Sequence, residues 1–424
     1  MKYLNTIKLM FIGLLFPVHL LMAQESVTLE QCQQWARKNH PVLKQSDLYK
    51  QILDLKNENN ATTLLPQVTL NGQATYQSDV TKIPISLPNM TIPTADKDQY
   101  KFYLDLKQTI WDGGLSKAKE LINQTENAGN QQQVEVELYQ LKEKVNQFFF
   151  TSFIVQENLK ILEKKAETLA ERRKMIESSV KNGMVLSSEL DQLLAELIKT
   201  DQIKLEFKSS LETVKSALAI LTGKNVDQFQ NLQLQSEQIA QNESIKRPEL
   251  DLFAKQNDLL AVNSDILKKQ RNPKFFGFGQ AGYGKPGLNM LNSKFDTYYM
   301  VGLGFNWNVL DWKNTSRQQQ VLKLQQDIIQ TKQENFVRNI DLATDLQNKQ
   351  ISQLNELLKT DQDLIQIRER ITKTSASKLE NGAITMTDYI QDLNNETTAK
   401  LTLETHKIQL KEAQIKLENI RGNQ

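Results

Sequence analysis

Three glycines, Gly277, Gly279 and Gly282, have the G-x-G-x-x-G spacing of a loop that wraps a dinucleotide pyrophosphate. That chemistry needs a helix directly after the glycines, whose N-terminal N–H groups hold the phosphates. Here Lys285-Pro286-Gly287 follows, and the glycines lie in a run with strand character. Metal and disulfide chemistry lack material: Cys32 is the one cysteine, and the histidines are His19, His40 and His406. His40 and His406 read as isolated surface residues of helices, and Asp361 and Asp363 as the solvated face of a long one. There is no G-x-S-x-G, H-E-x-x-H or P-loop sequence, so neither a cofactor nor an enzymatic activity is expected. Lys plus Arg number 52 against 50 for Asp plus Glu, a net charge of +2; no general attraction to nucleic acid follows.

The elements that would carry these residues are of two kinds. From Gln67 to Gln77 polar residues alternate with Val68, Leu70, Gly72, Ala74 and Tyr76, the period of a strand with two unlike faces. Phe102, Leu104, Leu106 and Ile110 alternate with polar partners in a second run from Tyr100 to Trp111. Each run has about the ten residues that a tilted strand needs to cross a bilayer. The loop between them, from Ser78 to Gln99, holds Pro84, Pro88 and Pro93, which oppose regular pairing. Asp112-Gly113-Gly114 then turns the chain into a rod from Leu115 to about Lys181, with Leu138, Leu141, Val145, Phe148, Ser152, Val155, Leu159, Leu162, Ala166, Leu169 and Ile176 on alternating three- and four-residue steps. A seam of this kind is coiled-coil packing, and at 1.5 Å per residue the rod is roughly 100 Å long. Asn182-Gly183 ends it, Met184-Val185-Leu186 turns, and Ser187 or Ser188 is placed to cap a helix returning to Gly223. Before the first strand, Thr28 to Leu64 reads as helix broken at Pro41.

This plan occurs twice. Pro41, Pro66, Gly72, Ala74 and Tyr76 recur at one constant spacing as Pro248, Pro273, Gly279, Ala281 and Tyr283, and Leu104, Asp112, Gly183 and Gly223 recur as Leu303, Asp311, Gly382 and Gly422. The expected layout is a signal peptide at 1–23, a first repeat at 24–223, a connecting equatorial segment at 224–246 and a second repeat at 247–424. The strand hairpins fall at about 66–111 and 273–309, and the helical tips near 183 and 382. The leader rests on Lys2 and Lys8 ahead of the apolar run from Leu9 to Met22. In the fourth strand, expected from Tyr298 to Val309, the residues Tyr299, Val301, Leu303, Phe305, Trp307 and Val309 would face lipid. Phe276 and Phe278 stand where lumenal residues belong; a constriction or a register shift would each account for them. A four-stranded sheet leaves two unpaired edges, each exposed group costing several kcal/mol in hydrocarbon, so more than one copy must close the barrel. The rival reading is a periplasmic coiled-coil scaffold without a pore.

In its order and duplication of elements the chain resembles the TolC-like outer-membrane efflux protein family over nearly all its mature length. The residues that carry this are Pro66-Gln67-Val68 and Pro273-Lys274-Phe275, the turns Trp111-Asp112-Gly113-Gly114 and Leu310-Asp311-Trp312, and the tips Val180-Lys181-Asn182-Gly183 and Leu379-Glu380-Asn381-Gly382. The resemblance implies an α+β membrane protein in two structural repeats. It would be a homotrimer whose four strands per chain make a twelve-stranded barrel on a periplasmic tunnel of coiled-coil helices. The function implied is a passive outer-membrane conduit in a tripartite efflux or type I secretion system. Its partners would be outer-membrane lipid, a periplasmic adaptor and, through that adaptor, an inner-membrane pump.

The resemblance also implies a constriction near the tip. Asp388 matches one acidic position of the family; Gln391 stands where an aspartate is found in other members, with Asp392 next to it. The tyrosine that latches some members is here Leu379, and Glu189 holds the place of its acidic partner, so the latch must differ. A solvated helix charge is the plain alternative for Asp388. Gly183, Met184, Val185 and Leu186, with Gly382, Ala383, Ile384 and Thr385, are the expected adaptor contacts, being partly apolar turns at the tips.

Overall fold

The computed structural model describes residues 26–81, 84, 94, 96–234 and 244–422. The expected leader, and Pro88 and Pro93 of the first hairpin loop, lie outside the described residues. Helix α1 spans Leu29–Asn39 and opens on a capping box in which Thr28 and Gln31 satisfy each other's backbone N–H groups. It stops one residue short of Pro41. His40 is no idle surface residue there, since its Nδ1 accepts the Val42 N–H at 3.3 Å. Helix α2 spans Leu43–Ala61 and runs through a single 3-10 turn into strand β1, Gln67–Tyr76.

Strands β1, β2 (Asp98–Trp111), β3 (Lys274–Lys285) and β4 (Asp296–Asn306) form one antiparallel sheet in that order. Strand β4 starts earlier and ends earlier than its sequence pattern implies, leaving Trp307 and Val309 beyond it. The reason is its neighbour: Asn306 pairs with Lys274, the first residue of β3, and Pro273 before it has no N–H to extend the ladder. Gly277, Gly279 and Gly282 lie inside β3. At Gly282 a Cβ would come within 2.6 Å of the Tyr103 Cβ and 2.8 Å of the Phe102 carbonyl, so this glycine permits close strand approach.

Two helices of 67 residues, α3 (Leu115–Lys181) and α6 (Asn314–Glu380), each double back into helices of 36 residues, α4 (Ser187–Thr222) and α7 (Met386–Arg421). Helix α5, Pro248–Lys269, precedes β3. The strand-to-helix corners rest on aspartates. Asp112 accepts the N–H groups of Gly114, Leu115 and Ser116, while Asp311 accepts those of Lys313 and Thr315. Burial acts to raise the Asp112 pKa, but the bonds from Ser116, Gly114 and Leu115 hold it below the ordinary carboxylate value.

The α3 seam is buried at Leu138, Leu141, Val145, Ser152, Val155, Leu162 and Leu169. Where Leu159 and Ala166 were expected at the bottom, Asn158 and Lys165 are the buried residues. Val155, Leu162 and Leu169 keep their places, so the seven-residue period holds and only the second position of each repeat falls one residue earlier. Lys165 meets Glu196 of α4 at 2.5 Å, with both side chains under a tenth exposed. In α6 the expectation for Asp361 fails. It is buried in the seam, and its Oδ2 lies 2.6 Å from the Nδ1 of His406 on α7, so neither residue belongs to a solvated face. Asp363 is exposed, as expected.

A waist core gathers Val27, just ahead of α1, with Cys32, Ala36, Val145, Phe149, Phe150, Leu218 and Phe229 from α1, α3, α4 and the connecting segment. The lone cysteine is fully buried, and burial pushes its thiol pKa up to about 12.

Candidate functional site

Two surfaces stand out, the helix tips and the two faces of the sheet. At the first tip Gly183 adopts a φ of +67° with nothing within 4 Å of where a Cβ would sit, so only the left-handed backbone asks for glycine. Its N–H donates to the Val180 carbonyl, and that of Met184 to the Ser179 carbonyl. Met184 and Leu186 are 69% and 73% exposed, and Val185 is half-buried. Neither Ser187 nor Ser188 caps α4: the N-cap is Leu186, which has no hydrogen-bonding side chain.

The second tip repeats the turn at Gly382, φ +68°, but not the cap. Thr385 is the N-cap of α7 and makes a reciprocal box with Asp388, whose Oδ2 accepts the Thr385 N–H at 3.0 Å and hydroxyl at 2.7 Å. These bonds from Thr385 hold the exposed Asp388 carboxyl below its ordinary pKa. Ile384 packs into a tip core of Leu169, Leu193, Met386, Tyr389 and Leu393, while Ala383 is exposed.

Glu189 occupies in α4 the place that Asp388 holds in α7. With no hydroxyl at Leu186 to close a local box, its Oε2 instead accepts the N–H of buried Met386 at 2.5 Å. The first turn of α7 is thereby capped from the other hairpin. A tight Thr387–Gln192 bond lies beside it.

The four expected constriction residues therefore divide. Asp388 and Gln391 are exposed and three residues apart, on one side of α7. Asp392 turns toward α6, accepting the Ser375 hydroxyl at 2.5 Å. Glu189 is spent on the α7 N-terminus. Sequence reasoning missed Arg172, whose guanidinium lies 5.1 Å from the Tyr389 ring centre and 2.7 Å from Glu380. Leu379 packs against the tip core. No spacing rule finds such a pair, because its members are brought together only by tertiary packing.

On the sheet, Val68, Leu70, Leu104, Leu106, Val301 and Leu303 share one exposed apolar face, Leu303 being 81% exposed. Aromatic contacts mark both ends of that face. Phe295 lies 6.1 Å from Tyr100 and 5.3 Å from Tyr283 between ring centres, and at the helix end Phe275 lies 5.9 Å from Trp111 and 6.3 Å from Phe305.

Phe276 and Phe278 lie on the opposite face. The β3–β4 ladder is unbroken, whereas the β2–β3 register shifts between Thr109, opposite Phe276, and Trp111, opposite Phe275, so a shift lies beside Phe276 but not at Phe278. Phe276 pairs with Gly304 and Phe278 with Gly302, and a Cβ at either glycine would come within 2.5 Å of the opposing ring. The rings lie down on bare backbone. The Lys107 ammonium sits 4.7 Å from the Phe276 ring centre.

No protein-family model and no curated protein matches the sequence. Solved structures do match. The Campylobacter jejuni CmeC outer membrane channel is 15% identical with a TM-score of 0.64, covering 93% of this chain and 85% of that one. The outer membrane protein VceC of Vibrio cholerae is 13% identical with a TM-score of 0.64, covering 92% and 95%. The open state of the Neisseria gonorrhoeae MtrE outer membrane channel is 13% identical with a TM-score of 0.65, covering 93% and 88%. The chain has the fold of the TolC-like outer-membrane channels. In that TolC-like fold long helices continue from a small sheet, and the resemblance read from the duplicated elements is met at the level of architecture.

Proposed function

We propose that three copies of this chain close a twelve-stranded outer-membrane barrel, continuous with a helical tunnel, that passes solutes without bond chemistry. The observation that carries this reading is a sheet with one face apolar and exposed, rimmed by aromatic side chains, in which β1 and β4, among the described residues, are each paired on one side only. Open edges cannot persist in hydrocarbon, and four strands are too few to enclose a lumen. Association edge to edge through two further copies answers both demands. A coiled-coil scaffold in water would leave the apolar face without a partner. No helix among the described residues is long and apolar enough to cross a membrane; the membrane contact is assigned to the strands on their exposed apolar face.

Under this reading the two halves are structural repeats, and the leader directs the chain through the periplasm to the outer membrane. The tips, from Gly183 to Leu186 and from Gly382 to Thr385, dock a periplasmic adaptor that connects to an inner-membrane pump. The exposed Met184 and Leu186 support that assignment. Asp388 and Gln391 face the tunnel axis, and threefold repetition gathers three Asp388 carboxylates into a ring that attracts cations. Conductance of the purified protein in planar bilayers tests the conduit. The Asp388→Ala channel is expected to lose cation selectivity, and a channel with wild-type selectivity removes Asp388 from the constriction.

A further inference from the structure

Where the sheet meets the helices, a cavity of about 460 Å³ opens on the same face as Phe276. Lys107 of β2, Lys119 of α3 and Lys274 of β3 line it, with Phe276 as part of its wall and Asn60 and Thr109 among its polar groups. Its one carboxylate among the described residues is Asp112. That group already accepts from the backbone of Gly114, Leu115 and Ser116 and from the Ser116 hydroxyl, so it is committed to the corner. Three ammonium groups therefore share a recess with one carboxylate, a net charge of about +2. Leu115, Phe275 and Phe276 supply its apolar wall, and the Phe276 ring is held flat there by Gly304 beneath it.

We propose that this recess is a lumenal subsite for monoanions that carry a flat apolar ring, such as aromatic carboxylates. This assignment rests on the channel reading, which makes the Phe276 face the inside of the barrel. The Lys107 ammonium that lies over Phe276 swings to the carboxylate, which it shares with Lys274, and the ring face it uncovers takes the solute ring, with Lys119 adding charge from the helix side. A solute leaving the tunnel would be held at the barrel entrance, so Phe276 and Lys107 bias the conduit toward anionic amphiphiles before any selection by a pump.

The test uses detergent-purified full-length protein and 2-naphthoate, with 2-naphthylmethanol and inorganic phosphate as comparisons, followed by calorimetry and by single-channel recording. Naphthoate is expected to bind more tightly than either comparison and to shorten channel openings. Lys107→Gln and Phe276→Leu should each weaken its binding by about tenfold, the first by losing a charge-assisted contact and the second a ring–ring contact. Both positions are on the sheet surface, and unchanged oligomer size verifies each variant's fold. Equal binding of naphthoate and the alcohol would mean detergent partition, and equal binding of phosphate would mean a plain cation cluster. Either result, or wild-type affinity in both variants, overturns the proposal. Conductance without any naphthoate effect sinks the subsite and leaves the channel standing, whereas specific binding without conductance leaves an anion site but sinks the channel and with it the site's lumenal placement.

Discussion

The α3–α4 hairpin turns through Met184-Val185-Leu186 with no side-chain cap, whereas the α6–α7 hairpin turns through Ala383-Ile384-Thr385 and caps itself with Thr385 and Asp388. One residue type decides the difference. A hydroxyl at position 385 keeps Asp388 local; an isobutyl group at position 186 frees Glu189 to reach Met386 across the gap. The second tip thus has two devices at its N-terminus, one of them borrowed, and the first has an exposed apolar turn. Tips that would be alike by repetition are divided between anchoring the bundle and presenting a surface.

The rods differ in the same way. The first carries a buried lysine–glutamate pair and the second a histidine–aspartate pair, each joining an outgoing helix to its return. The largest expected effect falls on the former: Glu196→Ala strands Lys165 without its partner and should cost about 3–5 kcal/mol in denaturant unfolding. A loss below about 1 kcal/mol would mean that the pair is solvated in the assembled protein. Next comes the borrowed cap. Glu189→Ala leaves the buried Met386 N–H unsatisfied and should cost about 2 kcal/mol, read as faster amide exchange in the first turn of α7. Leu186→Thr sharpens the contrast, since a hydroxyl there should draw Glu189 into its own capping box and speed exchange at Met386 while α4 gains up to about 1 kcal/mol.

The self-cap makes a pH prediction. Asp388 has a folded pKa held below its unfolded value of about 3.9, so its contribution is complete above that value and is lost as pH falls through the folded one. Wild type and Asp388→Asn should therefore differ in tip stability at neutral pH and converge as pH falls through the lowered folded value. A gap that persists in acid would show that the charge is not what caps the helix. The smallest effect concerns Cys32, whose burial and raised pKa predict a thiol that alkylating agents leave untouched at pH 8 until the protein unfolds.

Much of the architecture is written in local periodicity. The two-residue alternation of Val68, Leu70, Leu104 and Leu106 and the glycines at 183 and 382 state directly where strands run and helices stop. The end of β4 was not legible from its own alternation, because the partner strand runs out first. Asp361 and His406 look like surface charges in isolation; only the pairing of α6 with α7 brings them into one seam. Phe276 and Phe278 become intelligible once the register sets Gly304 and Gly302 opposite them. At the tip, the sequence located Asp388 and Glu189, but their tasks depend on whether position 385 or 186 offers a hydroxyl, and that is a matter of cap geometry.

The central claim is that the open edges of the sheet at β1 and β4 are closed by two more copies of the chain, while its apolar face is turned to lipid. Native mass spectrometry of the purified protein released from detergent tests it most directly. The account predicts a three-chain complex that is lost when Leu303 and Val301 on the exposed face are both replaced by Asp. A wild-type chain that is monomeric and stays in solution without detergent would contradict it.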